Sequence, residues 1–139
     1  SPKAYLGTMV AGFPNLFILQ GPNTGLGHSS VIFMMEAQIM HMQKVIKHMR
    51  TKYYDVIQPT HQAQQRFVEE TSKAMQQTVW SLGGCESWYI DQTGRNSTIW
   101  PSFTFTYRQL ASKFKAEDYE GHLAGIPSMN PTPLLHPAK

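Results

Sequence analysis

Residues 12–30 constrain the fold of this chain more than any other stretch. An apolar run, 15–20, lies between Gly12-Phe13-Pro14 and Gly21-Pro22, and the turn that follows opens into a long amphipathic segment. A short apolar run bounded by turn residues predicts a strand buried on both faces of a parallel sheet. Gly21, Gly25 and Gly27 permit positive φ and a close approach of backbone to a ligand. Ser29 and Ser30 are N-cap residue types, and Glu36 falls in the early turns of the helix that follows. Such strand–turn–helix units place backbone N–H groups and the positive end of a helix at the anionic or electron-rich edge of a ligand. The stretch Gly25-Leu26-Gly27-His28-Ser29-Ser30 lacks the third glycine of the dinucleotide fingerprint Gly-x-Gly-x-x-Gly. On spacing alone, a ligand-free tight connection therefore stands beside the ligand-binding reading.

Periodicity and punctuation organise the rest. A first strand is expected over 4–9, and the longest helix over 30–52. In that helix Val31, Met34, Met35, Gln38, Ile39, Met42, Val45, Ile46 and Met49 recur at three- and four-residue intervals. Residues 55–59 break it with an extended piece, because Pro59 biases Gln58 away from the helical region. Thr60 caps a second helix, 60–77, with a stripe of Ala63, Phe67, Met75 and Val79. Residues 86–91 and 97–100, joined by a turn at 92–96, read as a hairpin. A last helix starts at Ser102 or Thr104 and runs through 115, and the proline-rich stretch from Gly121 predicts an irregular tail. The fold class is α+β, mainly helical with short strands. Three regions are expected: 1–53, 54–118 and 119–139.

Composition excludes several functions. The net charge is +3, and Lys44, Lys47, His48, Arg50 and Lys52 cluster near a helix end, where cations complement the dipole. No nucleic-acid partner is expected, since neither an RNA-binding signature nor zinc-finger spacing accompanies them. The six histidines include His41 and His48, seven apart on one helix, but no His-Glu-x-x-His or paired-cysteine spacing occurs, so no metal is expected. One cysteine, Cys85, allows no internal disulfide and suits a reducing cytoplasm. No apolar stretch reaches membrane-spanning length.

The motifs Ala4-Tyr5-Leu6-Gly7-Thr8, Gly12-Phe13-Pro14-Asn15-Leu16-Phe17 and Gly21-Pro22-Asn23-Thr24-Gly25-Leu26-Gly27-His28-Ser29-Ser30 resemble the C-terminal part of flavin-dependent monooxygenases of the Baeyer–Villiger type. Thr78-Val79-Trp80, Gly84-Cys85-Glu86-Ser87-Trp88-Tyr89 and Trp100-Pro101 follow in that family's order, so the resemblance covers about residues 4–115. It implies the end of an α/β fold that binds FAD and NAD(P), with residues 1–53 supplying the last strands and long helix of the FAD domain. Residues 54–118 would form a helix–hairpin–helix extension. The implied activity, with FAD and NADP as cofactors, inserts one oxygen atom from O₂ next to the carbonyl of a ketone or aldehyde. A related enzyme that oxygenates nitrogen or sulfur, or a non-catalytic α+β interaction module, are the alternatives.

The family's two Gly-x-Gly-x-x-Gly fingerprints and its catalytic arginine have no counterpart here, and the sequence begins Ser1-Pro2-Lys3. The chain is accordingly expected to be a fragment, inactive alone and prone to self-associate through an exposed strand edge and an apolar helix face. Carried over position by position, the resemblance puts Gly21, Pro22, Asn23 and Thr24 along the flavin and its ribityl chain. Leu26, Gly27, His28 and Ser29 would lie beside the ring. Trp88 matches the stretch before the family's NADP-closing loop. That loop's Gly-Ala-Asn-x-Pro-Gly-Lys is replaced here by Asp91-Gln92-Thr93-Gly94-Arg95-Asn96-Ser97, leaving Arg95 as the phosphate or ribose partner.

Overall fold

The computed structural model describes residues 1–25, 30–77 and 90–123. Helix α1 (Val31–Thr51) starts where the Ser30 hydroxyl accepts the Phe33 N–H. It ends with Tyr53 in the left-handed region at φ 56°, and the Tyr54 N–H returns to the Met49 carbonyl. Strand β1 (Val56–Pro59) follows, then α2 (His61–Gln76), whose Thr60 side chain accepts the Ala63 N–H. Helix α3 (Thr104–Ser112) packs on α1, and a 3-10 turn (Ala116–Asp118) leads into β2 (Tyr119–His122). Strands β1 and β2 pair antiparallel, Val56 opposite His122 and Pro59 opposite Tyr119.

The core is aromatic and partly polar. Trp100 stacks on Phe67 at 6.4 Å and meets Tyr107 edge-on at 5.2 Å, while Tyr5 packs edge-on against Phe67 and Tyr119. On α1 the buried positions are Met34, Ala37, Gln38, His41 and Val45. Met34, Gln38 and Val45 of the expected stripe are buried, but the stripe is rotated: Val31, Ile39 and Ile46 are 42%, 43% and 41% exposed, whereas His41, outside it, is buried along with Gln38. These two polar groups hold the inner face because every polar atom finds a partner there. Gln38 Oε1 accepts the Gln20 N–H at 3.1 Å, and Nε2 donates to the Gly7 carbonyl at 3.4 Å. His41 Nδ1 lies 2.7 Å from the Ala111 carbonyl, which can only accept, so Nδ1 carries the proton and Nε2 accepts from the Tyr119 hydroxyl at 2.5 Å. Burial lowers the His41 pKa and raises that of Tyr119, so both stay neutral. The Tyr107 hydroxyl donates to the Leu6 carbonyl at 2.5 Å, fixing the N-terminal segment to α3.

Several expectations change. Residues 15–20 form no strand. Asn15 and Gln20 both have positive φ, 60° and 55°, which bends the run at each end. Asn15 uses its own amide in place of a strand neighbour: its N–H donates to the Ile57 carbonyl and its Oδ1 accepts the Ile57 N–H. Residues 4–9 are a tight turn closed by a Tyr5–Met9 bridge, with Leu6 and Gly7 at φ 51° and 64°. The last helix stops at Ser112 rather than 115, where Lys44 Nζ donates to the Ser112 carbonyl. Tyr119–His122 is paired strand, not irregular tail, because β1 offers it an edge. Of the expected hairpin, residues 86–89 lie outside the described residues. Ile90 bridges Asn96, while Ile99 pairs in parallel with Gly25 instead. Val79 and Cys85 also lie outside the described residues.

A cleft between the glycine turn and a second segment

The turn at 20–25 is built by close packing. Pro22 and Asn23 occupy its centre, and Asn23 has φ 59°, the sign a type II turn requires at its third residue. Gly21 has no positive φ; its need for glycine is steric, since a Cβ there would stand 2.2 Å from the Gly7 carbonyl oxygen. Conversely, a Cβ on Gly7 would stand 2.2 Å from the Thr24 methyl. The Thr24 side chain is buried and donates to the Gly21 carbonyl at 2.7 Å.

A second segment, 95–100, is laced to this turn. The Asn23 N–H donates to Ser97 O at 2.8 Å, and its Nδ2 donates to Asn96 O at 2.9 Å and Ile99 O at 3.0 Å. Gly25 N–H donates to Thr98 O, and Trp100 N–H to Gly25 O. Asn96 holds its own segment in shape by accepting the Thr98 and Ile99 N–H groups at Oδ1. Between the two segments lies an open cleft of about 440 Å³, lined by Pro2, Gln20, Gly21, Pro22, Gly25, Ser97 and Thr98. Gln20, on its wall, carries a buried Nε2 with no hydrogen-bond partner among the described residues.

Arg95 sits behind this cleft. Its guanidinium donates to Asn23 Oδ1 at 2.8 Å, Pro2 O at 2.9 Å, Ser1 Oγ at 3.0 Å and Ser72 Oγ at 3.3 Å. Partial burial lowers its pKa, against the pull of Asp91, and the group remains a cation. Asp91 Oδ1 accepts the Thr93 and Arg95 N–H groups, and hydrogen bonds, first from Ser1 and Thr93, hold its carboxyl below the usual carboxylate range.

The structure thus brings together Gly21, Pro22, Asn23, Thr24 and Arg95. Leu26, Gly27, His28, Ser29 and Trp88 lie outside the described residues. The side chains of Asn23 and Thr24 face inward as the frame of the turn, leaving Gly21, Pro22 and Gln20 to line the cleft. The roles of Gly7, Gln20 and 96–98 escape a reading by motif, because they arise from contacts between segments distant in sequence, up to 76 residues apart. No group of three His, Cys, Asp or Glu side chains converges as metal ligands among the described residues, and no helix there is long and apolar enough to cross a membrane.

No family model matches the chain. It is 44% identical over 91% of its length to a Baeyer–Villiger monooxygenase of Pseudomonas aeruginosa, and 35% identical over 85% to one of Streptomyces coelicolor. Among solved structures, cyclohexanone monooxygenase from Rhodococcus sp. Phi1 bound to NADP⁺ superposes with TM-score 0.71 at 22% identity, covering 89% of this chain, which shows the shared fold. The chain spans 24% and 23% of the two relatives and 24% of the solved structure. The chain is thus similar, over most of its own length, to a part about a quarter in length of proteins named Baeyer–Villiger monooxygenases.

Proposed function

We propose that the intact protein containing this chain is an FAD- and NADPH-dependent monooxygenase that converts a ketone or aldehyde to the ester or acid. Two electrons come from NADPH; one atom of O₂ enters the product and the other leaves as water. The observation that carries this reading is the 44% identity over 91% of the chain to a Baeyer–Villiger monooxygenase. The cleft fits a flavin edge on its own chemistry. The orphaned Gln20 Nε2, on the wall that Gly21 and Pro22 continue, supplies a donor for a carbonyl or ring-nitrogen acceptor. When bound, flavin supplies the redox chemistry with O₂. The chain's own part is to hold and shield it: Gly21 and Pro22 form the contact wall, and Asn23 and Thr24 fix its shape from behind. Leu26, Gly27, His28 and Ser29, which follow in sequence before α1, and Trp88 belong to the proposed cofactor site by resemblance. A cytoplasmic location is part of the proposal, supported by the single cysteine.

The test is the intact protein. It should purify yellow and consume NADPH and O₂ with a cyclic ketone, and ¹⁸O₂ should leave one labelled atom in the lactone. A colourless protein, or one that oxygenates sulfides but no ketone, would overturn this reading.

We also infer that the isolated chain self-associates. Phe103 and Phe105 stack at 5.2 Å while 62% and 56% exposed, and Ile32 is 68% exposed. Light scattering should give a mass above the 15.8 kDa of one chain; a stable monomer at that mass overturns the idea.

A further inference from the structure

We propose that Arg95 is a positioning residue that locks the glycine turn to the 95–100 segment through Asn23, setting the shape of the cleft without touching the cofactor. The inference rests on the flavoenzyme reading above. It departs from the role that family resemblance gives Arg95, that of a phosphate or ribose partner.

The geometry points this way for three reasons. First, one guanidinium NH₂ donates to Asn23 Oδ1 at 2.8 Å, and the other holds Ser1 and Pro2 at 3.0 and 2.9 Å. Pro2 is itself part of the cleft lining. Second, Asn23 is 3% exposed and has both Nδ2 hydrogens on carbonyls of the opposite wall, at Asn96 and Ile99. Arg95 therefore orients a side chain that joins both walls. Its charge makes the bond to Oδ1 stronger than a neutral donor would. Third, the Arg95 guanidinium also donates to Ser72 Oγ at 3.3 Å, so it ties Asn23 to α2 as well as to the N-terminal segment. A planar fork reaching three separate segments is a geometry that lysine cannot copy.

The consequence concerns shape. Ser97 and Thr98, one wall of the cleft, lie two and three residues after Arg95, and Gly21 and Pro22, the other wall, precede Asn23 directly. Whatever displaces the 91–97 turn is transmitted to the cleft wall through the Arg95–Asn23 contact together with the bonds Asn23 and Gly25 make to residues 96–99. Cofactor seating and the turn's conformation are then coupled.

The experiment uses the intact flavoprotein with Arg95→Ala, Arg95→Lys, Asn23→Ala and the double variant Asn23→Ala/Arg95→Ala. Flavin affinity, the visible circular dichroism of bound flavin and the NADPH KM are measured together. Arg95→Ala should weaken flavin binding about tenfold and alter the dichroism, the scale expected for a charged hydrogen bond. Arg95→Lys, which keeps the charge and guards against a folding failure, should show the same dichroism change. The double variant should bind flavin no more weakly than Asn23→Ala alone, because the two residues act through one contact. A raised NADPH KM with unchanged flavin affinity and dichroism would overturn the inference in favour of a phosphate contact, as would additive losses. A wild-type protein that binds no flavin would instead overturn the functional reading beneath it.

Discussion

Replacing Gly21 by alanine is expected to destabilise the protein by about 3 kcal/mol, in the upper range for overpacking, and to empty the proposed flavin site. The added methyl would meet Gly7 O at 2.2 Å, Gly7 C at 3.0 Å and the Ile18 methyl at 3.3 Å. Two of these three are backbone atoms, so no rotamer change relieves the contact. Nor can the N-terminal turn retreat freely. Gly7 O accepts from Gln38 Nε2, Leu6 O accepts from the Tyr107 hydroxyl, and both side chains are buried. The strain must pass into the 20–25 turn, which forms the cleft wall. Gly12→Ala is the matched control. A Cβ at Gly12 meets nothing within 4 Å, so its cost is the conformational one of a left-handed φ, about 1–2 kcal/mol, with flavin content unchanged. Thermal unfolding and the flavin-to-protein absorbance ratio of the two intact variants decide the matter. Equal losses would show that the Gly7–Gly21 approach does not constrain the site.

This contrast also shows what a sequence can reveal here. The helices are legible because their signals are local: Ser30 and Thr60 cap α1 and α2, and Pro59 separates β1 from α2. The glycine turn is legible as a turn, since Pro22 and Asn23 carry its chemistry in their own backbones. What is not legible depends on distant partners. Residues 15–20 read as a buried strand from apolarity alone, yet Leu16 and Leu19 are 43% and 42% exposed, and Asn15 pairs with Ile57 through its side chain. β2 escapes detection because a four-residue segment containing glycine is ordered only by the edge of β1. The inner stripe of α1 is misjudged for a related reason. His41, outside the expected stripe, is polar in sequence, and its burial follows from the Ala111 carbonyl and the Tyr119 hydroxyl that other segments bring to it. Resemblance picks out both segments of the site region through their motifs, but it does not show that Asn23 and Arg95 are hydrogen-bonded to each other.

Removing the Asp118 carboxylate should have the next largest effect, about 3 kcal/mol from Asp118→Ala, because a buried partner is left behind. Asp118 is 3% exposed and accepts the Tyr5 hydroxyl at 2.5 Å and Arg66 at 2.6 Å, while its main-chain carbonyl accepts the Thr60 N–H that opens α2. The Arg66 side chain is 47% exposed and can rehydrate once released, whereas the Tyr5 hydroxyl is enclosed among Phe67, His41 and Tyr119 and cannot. Most of the cost is therefore an orphaned tyrosine, and Tyr5→Phe in the same background should recover a large part of it. Burial alone would raise the Asp118 pKa, but the hydrogen bonds from Tyr5 and Arg66 outweigh it and hold the carboxyl below its ordinary 3.8. A depressed folded-state value means that the unfolded chain binds the proton more readily. The contribution of Asp118 is thus complete above pH 3.8 and is lost as pH falls through its folded value. His41 adds an earlier step of the same sign. Burial lowers its pKa from 6.5, so its contribution is present above 6.5 and declines as pH falls below it. Stability measured by denaturant titration should fall in two stages on acidification, and Asp118→Ala should flatten the lower stage while leaving the upper one. An unchanged lower stage would show that the Tyr5–Asp118–Arg66 cluster does not set the acid limit of the fold.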